Sequence, residues 1–120
     1  MSLLSNIIIL LIALLHFYIL WFEMFAWESR GPKVFRAFEK EMFPKTKVMA
    51  ANQGLYNGFL AAGLVWALLI SDPIWSDRIA LFFLLCVCVA GVYGAMTASK
   101  RILYVQAVPA AIGIVLVLIS

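Results

Sequence analysis

The stretch LLSNIIILLIALLHFYILWFEMFAW, residues 3–27, decides the fold class of this chain. It is almost uninterruptedly apolar, and it exceeds the roughly 20 residues that a helix needs to cross the hydrocarbon core of a bilayer. No basic residue precedes it, no convincing small-residue cleavage site ends it, and it is too long for the apolar part of a signal peptide. We therefore expect a retained membrane-spanning helix.

Composition extends this expectation to the whole chain. Of its 120 residues, 66% are hydrophobic and only 12% are charged, which is about half of the charged fraction of an average soluble domain. Three further apolar stretches follow, at about residues 47–70, 78–98 and 102–119. The sequence thus predicts an all-α polytopic membrane protein, a bundle of four transmembrane helices in a single domain over residues 1–120. Pro109 predicts a kink in the fourth helix.

The basic residues predict how the bundle lies in the membrane. Eight of the nine Lys and Arg residues belong to the first and third connections between the helices, and only Arg78 flanks the second. By the positive-inside rule, the first and third connections are cytoplasmic and both termini lie outside. We expect a multi-pass protein of the bacterial cytoplasmic (inner) membrane, surrounded by membrane lipids. Topology accounts for the basic residues, so no nucleic-acid partner is implied.

The first two connections carry patterns of their own. Between residues 33 and 43, apolar residues recur at helical spacing opposite basic ones, with Pro32 before them and Pro44 after. This pattern predicts a short amphipathic helix on the cytoplasmic leaflet, which serves either as a connector that sets the topology or as a lid over an inner cavity. In the second connection, we expect Asp77 to cap the third helix and Trp75 to lie at the membrane interface.

The second helix combines a polar stripe with a stripe of small residues. Asn52 and Tyr56, like Gln53 and Asn57, are four residues apart and so lie on one face of the helix. Small residues at the same spacing let another helix approach closely, and their abundance in four short helices also predicts a homodimer. The small residues with this spacing are Ala50, Gly54, Gly58 and Ala62 in the second helix, Gly91, Gly94, Ala95 and Ala98 in the third, and Ala107 and Ala111 in the fourth.

His16 and Glu23, in the first helix, are the most informative polar residues. They are seven residues apart, about two helical turns, and so project from roughly the same face. Exposing both to hydrocarbon is costly, so we expect them to face a protected cavity or a partner helix. Counted along the helices, nearly all embedded polar side chains fall in the cytoplasmic half, which predicts a pocket there and not a through-pore. The predicted ligand-binding residues are His16, Glu23, Asn52, Gln53, Tyr56, Asn57, Tyr93 and Gln106.

Four segments of the chain together resemble those of a known family: HFYILWFEMFAW at 16–27, ANQGLYNGFLAAGL at 51–64, VAGVYGA at 89–95 and VQAVPA at 105–110. With them, essentially the whole chain resembles the small bacterial membrane-protein family known only as domain of unknown function 1304 (DUF1304). The resemblance implies a four-helix integral membrane protein. It implies no established activity, so no catalytic residue can be taken from it.

Three functions are compatible with these patterns. The favoured one is binding or transport of a small amphipathic or lipidic molecule in the polar pocket, with proton coupling at Glu23 as an extension. The second is a membrane-embedded enzyme acting on a lipid-soluble substrate, with His16 and Glu23 as the candidate catalytic acid–base pair. The third is a non-catalytic partner or assembly subunit, in which the two residues only order the bundle. One His and one Glu are too few ligands for a metal site, and no cofactor motif is present.

Overall fold

The computed structural model describes all residues, 1–120, and every regular element in it is helical. The all-α prediction is therefore confirmed. The chain forms two compact units, residues 1–14 together with 60–120, and residues 15–59; the single domain stays a prediction. The elements are α1 (Leu3–Phe25), α2 (Trp27–Val34), α3 (Met42–Lys45), α4 (Lys47–Leu69), α5 (Pro73–Thr97), a π-helical segment (Leu103–Ala107) and α6 (Val108–Ile119).

Two of these helices, α1 and α5, are long and apolar enough to cross a membrane. The π-helical segment and α6 together form an apolar helix of residues 103–119 that is shorter. α4 has the required length, 23 residues, but its amino-terminal half carries Asn52, Gln53 and Asn57, and these amides lower its hydropathy. The polar stripe thus sets α4 apart from the other long helices.

In the unit formed by residues 1–14 and 60–120, close helix contacts surround an aliphatic core. α5 and the helix of residues 103–119 run antiparallel, with Gly91 so close to Ala107 that a Cβ at position 91 would lie 2.6 Å from the Ala107 nitrogen. The close approach predicted from the small residues is confirmed here. The buried core residues are Ile9, Ile12, Ala13, Leu64, Ala67, Ile79, Ala80, Leu84, Val87, Ala110 and Val117.

The start of α5 corrects the prediction that Asp77 caps the third helix. Asp72 is the N-cap instead: its Oδ1 accepts hydrogen bonds from the backbone N–H groups of Ile74 at 2.9 Å and Trp75 at 3.2 Å. Pro73 follows in the first turn, where its missing N–H costs nothing. The Asp-Pro pair therefore starts the helix five residues before the predicted boundary at 78. Asp77 lies within the helix, and Trp75 is exposed; its place at a membrane interface stays a prediction.

The helix of residues 103–119 is irregular just before Pro109. The segment Leu103–Ala107 is π-helical, and α6 begins at Val108 with the proline in its first turn. Proline cannot donate a backbone hydrogen bond to the preceding turn, and a π-turn is one of the local irregularities that accommodate such a loss. The sequence predicted a kink at Pro109, and the structure shows a change of helix type directly before it.

The first connection is not the continuous amphipathic helix predicted for residues 33–43. Residues 35–41 form turns, between α2 and the single turn of α3. A straight helix would place Phe43 about 15 Å from residue 33. Instead, the Phe43 ring is buried, with its centroid 5.1 Å from that of Trp27, and it fills the space beside Gly31. Burial of this aromatic ring therefore outweighs the local helical pattern.

Candidate functional site

α1 and α4 pack closely within the unit formed by residues 15–59. A Cβ at Gly54 would lie 2.8 Å from Cγ of Met24 and 3.1 Å from the carbonyl oxygen of Leu20, and one at Gly58 would meet the side chain of Leu20. The two glycines therefore let the helix backbones approach, as the small-residue stripe predicts. This approach brings polar side chains of α1 and α4 together.

Glu23 and Asn57 form the centre of the site. Asn57 Nδ2 donates hydrogen bonds to Glu23 Oε1 at 2.9 Å and to the carbonyl oxygen of Gln53 at 3.0 Å. Both hydrogens of the amide are thus used, whereas Oε2 of Glu23 and Oδ1 of Asn57 accept no hydrogen bond within the protein. Both side chains are half-buried, and Glu23 makes no ion pair. The site therefore offers two free hydrogen-bond acceptors, one of which belongs to a carboxylate without a counter-cation.

The remaining residues of the predicted α4 stripe lie at the surface. Asn52 is exposed and donates to the carbonyl oxygen of Val48 at 2.8 Å, within its own helix. Gln53 and Tyr56 are also exposed. Of the four residues in the α4 stripe, Asn57 alone makes a hydrogen bond with Glu23.

His16 has a different environment from Glu23, although both belong to α1. Its side chain is only 1% exposed, whereas Glu23 is half-buried and bonded to Asn57. Seven residues of helix also separate the two backbone positions by about 10 Å. A joint acid–base role requires a substrate to reach both groups, and the burial of His16 disfavours it.

Tyr93 and Gln106 belong to the other compact unit, so their predicted place beside Glu23 stays a prediction. Tyr93 is exposed and lines a shallow groove of about 330 Å³ along one face of α5, whose other lining residues, from Cys88 to Met96, are apolar. Gln106 is half-buried in the π-helical segment. No group of three or more His, Cys, Asp or Glu side chains comes together in a way that could hold a metal ion.

Comparison with known proteins assigns the chain to a family. The profile of the family described as "Protein of unknown function (DUF1304)" matches residues 10–118, a range that contains every predicted site residue. The chain belongs to the DUF1304 family. A relative of this DUF1304 protein, the "Uncharacterized protein YpaA" of Lactococcus lactis subsp. lactis (strain IL1403), is 32% identical over 108 residues, which cover 88% of the chain and 89% of the relative. No solved structure matches the chain significantly.

The DUF1304 protein also contains polar contacts that its sequence did not predict. Arg30 Nε donates a hydrogen bond to the Tyr18 hydroxyl at 2.7 Å, and Trp27 Nε1 donates to Thr46 Oγ1 at 3.0 Å. These pairs are 12 and 19 residues apart in sequence. No helical periodicity joins them, because the chain changes direction at Ala26, between α1 and α2.

Proposed function

We propose that this DUF1304 protein is an integral protein of the bacterial inner membrane that binds a small amphipathic molecule through Glu23 and Asn57. In this proposal, α1, α4, α5 and the helix of residues 103–119 cross the membrane. The observation that carries the binding site is the pair of unused acceptors, Glu23 Oε2 and Asn57 Oδ1, the first of which belongs to a carboxylate without an ion-pair partner.

The exposure of the apolar helices supports the membrane placement. Only 28% of the residues in the most apolar part of α1, and likewise of α5, are buried within the protein, although the core helix of a soluble protein would be mostly buried. Leu3, Leu69 and Met96 are each more than 75% exposed. A soluble monomer rarely exposes so many large apolar side chains to water. Contact with the hydrocarbon chains of lipids suits such a surface.

The chemistry of the site favours a ligand with a protonated amine. A primary ammonium group supplies three N–H donors and a positive charge, which complement the two free acceptors and the negative charge of the Glu23 carboxylate. Charge-assisted hydrogen bonds of this kind are stronger than neutral ones, and more so away from water. An apolar tail on the same molecule would lie against exposed apolar side chains of the membrane-facing helices. The burial of His16 favours binding over acid–base catalysis.

Calorimetric titration with decylamine tests this proposal. The protein is placed in nanodiscs of zwitterionic lipid, with empty nanodiscs as the blank, and decyltrimethylammonium serves as a ligand of equal charge that has no N–H donor. We expect saturable decylamine binding, weaker binding of the trimethylated compound, and a loss of about tenfold or more in decylamine affinity for Glu23→Gln, since one charge-assisted hydrogen bond contributes about 1.5–3 kcal/mol.

The matched control is Glu39→Gln, which removes an exposed carboxylate that makes no ion pair. It should bind decylamine like the unmodified protein. Decylamine that only partitions into the bilayer without saturation, or binds equally well to Glu23→Gln, would show that Glu23 does not form a ligand site.

A further inference from the structure

Arg30 lies beside α1, although it follows this helix in the chain. Twelve residues of straight helix would separate Tyr18 from Arg30 by about 18 Å, yet Nε of Arg30 donates to the Tyr18 hydroxyl at 2.7 Å. The chain turns back because Ala26, with φ −127° and ψ 17°, interrupts the helix. Packing of the Trp27 ring on Phe22, with centroids 5.7 Å apart, maintains this turn.

The guanidinium group of Arg30 is oriented by Tyr18 but has no anionic partner. Its Cζ lies 5.7 Å from the centroid of the Tyr18 ring, within range of a cation–π interaction. Its two Nη groups make no hydrogen bond within the protein, and Arg30 makes no ion pair. The nearest carboxylate in the sequence, Glu28, is paired with Lys47 at 3.1 Å instead. An arginine fork of this kind is suited to bidentate contact with a phosphate group.

The Tyr18 hydroxyl adds a third donor to this fork. Because its oxygen accepts the hydrogen bond from Arg30 Nε, its own hydrogen is available to an anion. Beside it, Trp21 and Phe25 are 47% and 73% exposed, and the Tyr18 and Trp21 rings lie 5.9 Å apart. Tyr and Trp residues are typical of the headgroup level of a membrane. The N–H and O–H groups that could donate to a phosphate therefore lie next to apolar surface.

The charge of the surrounding connection indicates the sign of the ligand. Its other basic side chains, apart from Lys47, are exposed and make no ion pair: Lys33, Arg36, Lys40 and Lys45. Close to the membrane surface, these side chains attract anionic lipid in general, without selecting one lipid molecule.

We infer that Arg30, Tyr18 and Trp21 form a binding site for a single anionic phospholipid. The two Nη groups and the Tyr18 hydroxyl donate to the lipid phosphate, and an acyl chain lies along the exposed rings of α1. The inference rests on the proposed membrane placement, but it does not depend on ligand binding at Glu23.

Native mass spectrometry with added dioleoylphosphatidylglycerol tests this site. We expect the detergent-solubilised protein to retain one molecule of this lipid in preference to phosphatidylcholine, and Arg30→Gln to retain it about tenfold more weakly or worse. Arg30→Lys keeps the charge but lacks the fork, and Tyr18→Phe lacks the third donor, so both should also bind more weakly. The control Arg36→Gln removes the same charge from the same connection, so it should lose only the general attraction of one basic residue and weaken retention clearly less than Arg30→Gln does.

Each alternative outcome contradicts the site. Equal losses in Arg30→Gln and Arg36→Gln would indicate diffuse attraction by the basic connection, and unchanged retention in Arg30→Gln would exclude the site altogether. Displacement of the lipid by excess inorganic phosphate would show that a free anion, and not a lipid, is the ligand.

Circular dichroism checks that each variant is folded. Titration of Arg30→Gln with decylamine separates the two proposals. The affinity of decylamine for the Glu23 site should be the same in this variant as in the unmodified protein, whether or not the lipid site exists.

Discussion

Glu23 would use different oxygen atoms in its structural role and in the proposed binding of a ligand. Oε1 accepts the hydrogen bond from Asn57 and thereby joins α1 to α4, whereas Oε2 makes no contact with a donor of the protein. A change at the second oxygen can therefore affect a ligand without affecting the packing of the helices. This separation makes the two roles distinguishable by substitution.

We predict that Asn57→Ala lowers stability and that Glu23→Gln leaves it nearly unchanged. Gln keeps an oxygen that accepts from Asn57, so the free energy of unfolding should change by less than about 1 kcal/mol. Asn57→Ala leaves a half-buried carboxylate without its donor and should lower this free energy by about 1–3 kcal/mol. Unfolding in mixed micelles with increasing dodecyl sulfate, followed by circular dichroism, measures both. Strong destabilisation by Glu23→Gln with unaltered decylamine affinity would leave Glu23 only the role of ordering the bundle.

The residues of the site differ in how far sequence could predict them. Glu23 was predictable, because a carboxylate in an apolar helix needs a polar partner and α4 offers a stripe of them. The choice of Asn57 over Asn52 depends on where Gly54 and Gly58 let the helices touch, which no single-helix pattern contains. Arg30 was predicted only as one of several topogenic basic residues. Its contact with Tyr18 depends on the turn at Ala26, which the apolar run does not show.

At the level of elements, two glycines differ in what a side chain would meet. A Cβ at Gly91 would lie 2.6 Å from the backbone nitrogen of Ala107, whereas one at Gly58 would meet only the flexible end of Leu20. A side-chain tip can rotate away, but a helix backbone moves only together with its neighbours. The same substitution should therefore have different costs at the two positions.

We predict that Gly91→Ala destabilises the protein by about 1–3 kcal/mol, the usual cost of overpacking. Gly58→Ala should change stability by less than about 1 kcal/mol, since the higher helix propensity of alanine offsets the rearrangement of Leu20. The two variants form a matched pair for unfolding in dodecyl sulfate. If Gly58→Ala lowered the free energy of unfolding more than Gly91→Ala does, the contact of α5 with the helix of residues 103–119 would not be tighter than that of α4 with α1.

Long apolar helices were predictable as elements, but the connections between them were not. The boundaries predicted for the second helix, 47–70, differ from those of α4 by one residue, because its apolar length and flanking polar residues are local signals. The helix predicted for the first connection was wrong because Phe43 packs on Trp27, 16 positions earlier. This contact overrides the helical pattern of residues 33–43. The start of α5 was misplaced because two aspartates compete as caps, and Pro73 favours the first of them.

For the whole molecule, the distribution of charge favours one orientation in a membrane. Moving the strongly basic first connection across a bilayer is disfavoured, and the third connection contains Lys100 and Arg101 as well. The second connection contains Asp72 and no basic residue before α5 begins. The exposed apolar surface that supports the membrane placement is compatible with either orientation, so topology rests on charge alone. The homodimer also stays a prediction.

We predict that the first connection is cytoplasmic and the second external. Lys40 and Ser71, one in each connection, are exposed, and each is replaced by cysteine in a protein in which Cys86 and Cys88 are first changed to serine. In intact bacterial cells, a membrane-impermeant maleimide should label Ser71→Cys, because residue 71 faces outward. Lys40→Cys should be labelled only after the cells are lysed, and this labelling also serves as the control for its reactivity. Labelling of Lys40→Cys in intact cells, with Ser71→Cys protected until lysis, would reverse the orientation, and labelling of both in intact cells would contradict a span between the two connections.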